Sequence, residues 1–245
     1  MYEVSITNLI QLNISMFEIT NEDLDFTQYK SKIYIGNQDF LSREIIRYTS
    51  VENLRLILNG YLHLTIRKDF VDKREAGKFK NKGFIFRFEP VENESKICWN
   101  YLDEKIAYSR NLPTSCWSLT TQEDVLMWKA YNASIRIKTT IEKLLDSIAD
   151  DSVRMVICDK IEYKREQPLY NIIDALFCKN KAYHNENEFR FYFDGVKDNY
   201  CTINARGLID NVMISPFISR EAKLLLEYVR NEFPNLNIAE SSIIE

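Results

Sequence analysis

The residues best suited to chemistry lie in KAYHNENEFRFYFD, from Lys181 to Asp194. Phe189, Phe191 and Phe193 alternate with Glu188, Arg190 and Tyr192, the period of two expected of a strand with one buried face. Carrying the alternation back adds Glu186 to the polar face. Two carboxylates and a guanidinium on one side of a core-anchored strand are close enough to shift one another's pKa. His184 stands beside the strand as a further candidate acid or base. The same residues also fit an ordinary solvated strand face on which Glu186 and Glu188 pair with Lys181 or Arg190.

A second informative stretch is PTSCWSLTTQEDVLMWKAYN. TSCWSLT reads as a buried strand carrying Ser118. Thr120-x-x-Glu123 reads as a capping box opening a helix that brings Trp128 and Tyr131 onto one face. Trp and Tyr at that spacing are also what a helix packed on a core requires.

The elements that must position these residues recur along the chain. REIIRYTS predicts a strand bearing Arg47 and Tyr48, running into a capping box at Thr49-x-x-Glu52 and a helix with Leu54, Ile57 and Leu58 inward, closed by Asn59-Gly60. YLHLT, ASIRIK, residues 154–159 and residues 211–215 read as strands. Residues 140–149, 169–179 and 220–232 read as helices, the last capped by Ser219 and stopped before Pro234. Before and between them, short strands are expected near Val4–Ile6 and Ile33–Ile35, a weak helix start in NEDLDF, a strand in GFIFRFEP and a helix over 95–110. Strands recurring between helices predict an α+β (mixed α/β) fold: one compact domain whose central, mostly antiparallel or mixed sheet can divide into two small sheets flanked by helices. Residues 1–42 read as an N-terminal extension packed on a domain of residues 43–245.

Composition narrows the partners. The 245 residues are 45% hydrophobic with only 6 Gly and 5 Pro, which supports a buried core and leaves no flexible linker. A net charge of −4 gives no global attraction to nucleic acid or an anionic membrane, so any such partner must be met locally. The basic segment from Arg67 to Lys82, RKDFVDKREAGKFKNK, reads first as a solvated face and second as the candidate surface for nucleic acid or a target protein. Five scattered cysteines without a CxxC pair, a start without signal-peptide character and no long apolar run predict a reduced, cytoplasmic protein with no membrane partner. Two distant histidines argue against structural zinc. Asp69, Asp72, Glu75, Glu186 and Glu188 have no metal-ligand spacing, which counts against a metal-dependent nuclease.

The order Arg47-Tyr48, Cys116-Trp117-Ser118, Met127-Trp128, Tyr131 and Glu186-x-Glu188-Phe189-Arg190 resembles a bacterial family known mainly as a domain of unknown function, over roughly Arg43 to Val229. Two elements depart from that pattern. Val71-Asp72-Lys73-Arg74-Glu75 stands where an Asn-Asp-Pro-x-Glu type element is usual, and the small glycine after the Tyr131 region is absent. More remotely, Arg on an early strand, Ser on a central strand and a late Glu-x-Glu is similar to the Arg, Ser, Glu order of mono-ADP-ribosyltransferases, whose fold clamps NAD between two small sheets.

That resemblance implies NAD as co-substrate and no metal. Arg47 would contact the NAD phosphates or ribose, Ser118 would order the nicotinamide pocket, and Tyr131 or Trp128 would stack on the nicotinamide. Glu188 would hold the ribose hydroxyls and stabilise the oxocarbenium-like centre, and Glu186 would orient or deprotonate the acceptor. Tyr48 and Arg190 complete the implied binding set. The expected geometry is Glu186 and Glu188 facing Arg47 and Ser118 across a cleft. A toxin or anti-phage effector modifying protein or nucleic acid, with an antitoxin or other partner protein, is the implied setting. The competing reading is a non-catalytic module that binds nucleotide, nucleic acid or protein, with both glutamates facing solvent away from Arg47.

Overall fold

The computed structural model describes residues 26–66, 111–164, 176–196 and 198–243. Outside them lie the expected strand near Val4–Ile6, almost all of NEDLDF, the basic segment from Arg67 to Lys82, the GFIFRFEP strand, the helix over 95–110, and the greater part of the helix over 169–179.

In chain order the elements are β1 (Thr27–Lys30), β2 (Ile33–Ile35), β3 (Glu44–Thr49), α1 (Val51–Leu58), β4 (Tyr61–His63), β5 (Thr65–Ile66), β6 (Pro113–Ser118), α2 (Val125–Ala130), β7 (Ile135–Thr140) and α3 (Ile141–Ser147). They continue with β8 (Met155–Lys160), β9 (Glu162–Lys164), β10 (Cys178–Asn180), β11 (Glu188–Asp194), β12 (Tyr200–Thr202), β13 (Asn211–Ile214), α4 (Arg220–Glu232) and β14 (Ile238–Glu240). Ten strands form one mixed sheet in the order β1-β2-β8-β11-β6-β3-β7-β13-β14, with β5 joined to β6. Short two-stranded pairs, β9 with β10 and β4 with β12, complete an α+β domain. Strands β1 and β2 belong to the main sheet, β2 pairing parallel to β8.

The alternation predicted for each strand places its apolar residues on one face. Phe189, Phe191 and Phe193 meet Ile45, Trp117, Ile137 and Val156 there, under Val51, Leu54 and Ile57 of α1, Ile141, Leu144 and Leu145 of α3, and Leu226 and Val229 of α4. Helix α4 spans the expected residues, and its Ser219 hydroxyl accepts from the Ala222 N–H. Two other caps shift. Ser50, not Thr49, caps α1 by accepting from the Asn53 N–H, because Thr49 still pairs in β3. Asp124, not Thr120, caps α2 by accepting from the Leu126 N–H. The predicted helix over 169–179 gives way at its end, where Cys178 and Lys179 join β10.

The opposite face of the sheet holds two smaller apolar clusters. Ile157, Ile161, Leu176, Phe177 and Tyr192 form one, and Ile46, Tyr48, Met127 and Trp128 form the other. Between them, on β11 and β6, lies a polar row. Strands β6 and β3 meet beside it at a seam. They pair at one position, Ile46 with Ser118, whereas β11 pairs with β6 from Glu188 to Tyr192 and β3 with β7 from Glu44 to Thr49. The other end of β6 is taken by β5, at Thr65 and Ile66.

Where β11 turns toward β12, Gly195 has φ +95°, and a β-carbon there would stand 2.3 Å from the Ser152 carbonyl oxygen. Backbone cannot yield as a side-chain tip can, so Gly195→Ala combines left-handed strain with a clash. It is expected to lower stability by roughly 2–3 kcal/mol in urea unfolding. An unchanged midpoint would contradict this turn.

Candidate charge cluster at the sheet seam

Opposed residues of antiparallel strands share a face. Glu188 opposite Ser118 and Arg190 opposite Cys116 therefore put four polar side chains together. The start of β11 is pinned from behind: the Glu188 N–H donates to the Tyr163 hydroxyl at 2.8 Å, and the Ile161 N–H to the Glu188 carbonyl at 2.9 Å. Tyr163 lies opposite Lys179 in the β9–β10 pair, so that pair delivers both residues to the cluster.

Glu186 arrives by a different route from the predicted one. It ends a 3-10 helix, Lys181–Glu186, and Asn187 follows in the left-handed region at φ 41°. Asn tolerates that conformation better than most residues. The strand alternation therefore stops at Glu188, yet Glu186 still reaches the same place. Lys179 Nζ donates to Glu186 Oε2 at 2.6 Å and to Glu188 Oε2 at 3.2 Å. Arg190 completes the cluster with two bonds to Glu188, Nε to Oε1 at 2.5 Å and Nη2 to Oε2 at 2.8 Å. The Tyr192 hydroxyl accepts from Arg190 Nη1 at 3.3 Å and donates to the Leu176 carbonyl at 2.6 Å.

The solvated strand face weighed above is not what forms. Every residue of β11 except Asp194 is buried; Glu188 is 4% exposed and Arg190 0%. Burial alone would raise the Glu188 pKa, but the Arg190 guanidinium, then Lys179 and the Cys116 thiol, outweigh it and hold the carboxyl at about 2. Glu188 is thus a permanent negative charge rather than a proton carrier. Glu186, its side chain 19% exposed, is the carboxylate nearer solvent.

The remaining predicted residues divide between the faces. Ser118 is on the cluster side, its hydroxyl donating to the Glu186 carbonyl at 2.7 Å and accepting from the Thr120 N–H. It ties the end of β6 to the turn that holds Glu186. Tyr131, the C-cap of α2, is 49% exposed as a residue. Its phenol end is crowded enough for burial, followed by the Glu186 and Glu188 charges, to push its pKa above the ordinary value. Trp128 is 1% exposed, with Tyr48 edge-on at 4.7 Å, so both belong to the core under α2 and neither offers a stacking surface. The Tyr48 hydroxyl also accepts from the Asp124 N–H.

By strand alternation Arg47 emerges on the other face. Its guanidinium donates to the His63 carbonyl and the Ser115 hydroxyl, all at 3.4 Å, and lies 5.8 Å from the Trp117 ring centre. Burial lowers its pKa, and Cys116 and Tyr131 partly restore it. Tyr131 also feels the Glu186 and Glu188 charges, and the Cys116 thiol hydrogen-bonds Glu188. The expected arrangement, Arg47 facing Glu188 over an open cleft, does not form: Arg47 and Glu188 lie on opposite faces of the sheet. His184 is exposed, with Nδ1 3.1 Å from the Lys181 carbonyl oxygen.

Sequence reasoning missed Lys179, Cys116 and Tyr163 as members of the cluster. Lys179 was absorbed into a predicted helix, and the three-residue strands β9 and β10 are too short to show a period. Cys116, Cys158, Cys178 and Cys201 are thiols. Among the described residues no group of three or more His, Cys, Asp or Glu side chains is placed to hold a metal ion, and no helix is long and apolar enough to cross a membrane.

Helix α2, which carries Tyr131, is fastened at its start. Glu123 accepts from the hydroxyls of Ser241 and Ser242 at 2.6 Å each and from the Ser242 N–H at 2.8 Å. Burial would raise the Glu123 pKa, but these hydrogen bonds outweigh it and hold the carboxyl below its usual range. A pKa lower in the folded than in the unfolded chain means this anchor is at full strength above about pH 4.3 and is lost as pH falls through the folded value. The Ser242 amide resonance is expected to move only as pH falls below about 4.3, and to stay still in Glu123→Gln. An acid-insensitive Ser242 signal in the wild type would contradict the anchor.

Neither protein-family models, curated proteins nor solved structures give a match to this chain.

Proposed function

We propose that the chain is an NAD-consuming transferase of the ADP-ribosyl type, with its reacting centre at the seam between β3 and β6. One observation carries this reading: Arg47, Ser118 and Glu188 sit on three successive strands, with Ser118 directly opposite both Glu188 and Ile46, the neighbour of Arg47. A sheet nearly divided at that line also agrees with the two-sheet NAD clamp that the Arg, Ser, Glu order implies.

The chemistry follows from the charges. Cleaving the glycosidic bond between nicotinamide and ribose releases neutral nicotinamide and leaves positive charge on the ribose. A carboxylate that stays ionised is suited to stabilise that charge. Because Arg190 already engages both oxygens of Glu188, this residue acts as an oriented, partly compensated charge. Glu186, closer to solvent, takes the proton from the acceptor nucleophile as the new bond to ribose forms. Tyr131, half exposed beside both, is the aromatic surface available to nicotinamide. The resemblance adds a bacterial toxin or phage-defence setting with protein or nucleic acid as acceptor.

The orientation of Arg47 favours a second reading, a non-catalytic nucleotide, nucleic-acid or protein interaction module in which the charge cluster serves structure. NAD binding separates the two. Under the transferase reading NAD raises the melting temperature saturably, and Arg47→Ala weakens that binding about 10–100-fold by removing a charged hydrogen-bonding group. A melting temperature unmoved by NAD favours the module.

A further inference from the structure

Strand β4 pairs antiparallel with β12, setting Tyr200 opposite His63 and Thr202 opposite Tyr61. Leu62 and Cys201, between them, enter the core, so Tyr61 and Tyr200 stand on the outer face of the pair, 48% and 43% exposed. Both rings line a cavity of about 450 Å³, a volume that suits a small molecule. Leu56 of α1 and Val196, after β11, extend its apolar wall, and Asp150 and Asp198 bring two carboxylates to it. None of these residues belongs to the charge cluster, so the cavity is independent of the transferase reading.

Asp150 is held in place by Ser152 and Thr202, which also line the cavity. Its Oδ1 accepts from the Ser152 N–H at 2.9 Å and hydroxyl at 2.6 Å, and its Oδ2 from the Thr202 N–H at 3.0 Å. Burial would raise the Asp150 pKa, but these hydrogen bonds outweigh it and hold the carboxyl below its usual range. Oδ2, with one donor, has room for a second.

Among the described residues that line the cavity none is a lysine, arginine or histidine, so no lining side chain balances the two carboxylates. An anion would be repelled by both aspartates, whereas the faces of the tyrosine rings attract a cation. A bare metal ion lacks ligands there: among the described residues no group of three or more His, Cys, Asp or Glu side chains is placed to hold one. We infer that this cavity binds a small organic ammonium ion, its alkyl groups against Leu56, Val196 and the two tyrosine rings and its charge toward Asp150 and Asp198.

The test titrates the full chain, its tyrosine rings labelled with 13C, with choline chloride against sodium chloride at equal concentration. The alcohol in which carbon replaces the choline nitrogen is the uncharged control. Choline is expected to shift the Tyr61 and Tyr200 ring signals saturably, and the control to bind about 5-fold more weakly. Asp198→Asn should weaken choline binding roughly 5-fold by removing a charge, and Tyr200→Leu about 2–5-fold by removing a ring face. Both side chains are exposed, so neither variant is expected to disturb the fold, and the other tyrosine signals check that.

No saturable shift, a control that binds as tightly as choline, or an unchanged affinity in either variant would overturn the inference. So would choline binding that appears only in Lys197→Met, since the cavity would then be filled by a cation of the chain itself. A wild type that releases no nicotinamide sinks the transferase reading and leaves each of these outcomes as decisive as before.

Discussion

Replacing Arg190 with Met is expected to lower stability by about 3–5 kcal/mol, read from urea unfolding. The side chain is fully buried, makes two hydrogen bonds to Glu188 and a third to the Tyr192 hydroxyl. Met fills much of the volume but leaves Glu188 with the Cys116 thiol and with Lys179, which Glu186 also engages. Desolvation of that carboxylate then goes largely uncompensated. The cost comes from stranding a charge, so removing both partners is expected to be far milder: Arg190→Met/Glu188→Leu should regain most of the loss. Exposed pairs provide the contrast. Breaking Lys138 with Glu44, at 2.9 Å but solvent-facing on both sides, is expected to change stability by less than about 1 kcal/mol. An Arg190→Met chain as stable as wild type would mean that the cluster contributes little to the fold.

That contrast explains what could be read from residue order and what could not. Phe189, Phe191 and Phe193, like Ile135 and Ile137, show their orientation through a period of two, and the structure places them in the core as expected. Ser219 marks the start of α4 because a capping hydroxyl acts within three residues. Local signals of this kind are visible in a single chain. Position along them is less so: Ser50 rather than Thr49 caps α1, since pairing of Thr49 with Ile135 across the sheet decides where the strand ends.

The candidate site was legible only in part, for the same physical reason. Glu188, Arg190 and Ser118 share a face because strand alternation and antiparallel register require it. That this face is buried depends on β9, β10 and the 3-10 helix, whose packing over β11 no strand period encodes. A pattern of alternating charge reads as solvent-facing until something covers it. Asn187 in the left-handed region breaks the alternation that would have placed Glu186, and Lys179 restores the pairing of the two glutamates from a strand too short to announce itself. The side taken by Arg47 follows from its register with Ile137, a pairing that separates it from Ser118 and Glu188 by the thickness of the sheet.

The second large effect concerns turnover. Glu188→Gln keeps the shape and hydrogen-bonding capacity of the side chain while removing its charge. If Glu188 stabilises the ribose cation, nicotinamide release should fall by roughly 100–1,000-fold. The substitution also leaves Arg190 and Lys179 facing a neutral amide, so circular dichroism must show the variant folded at the assay temperature. Because the Glu188 carboxyl sits at about 2 in the folded chain, its catalytic contribution should be constant from mildly acidic to neutral pH. Any pH dependence there belongs to other groups.

The most direct measurement is nicotinamide release from NAD by the purified chain, supplied with cell extract and nucleic acid as acceptors, comparing wild type with Glu188→Gln and Arg47→Ala. The proposed function expects release by the wild type, near-complete loss in Glu188→Gln, and a raised KM for NAD in Arg47→Ala. No release by the wild type, or equal release by wild type and Glu188→Gln, would contradict it.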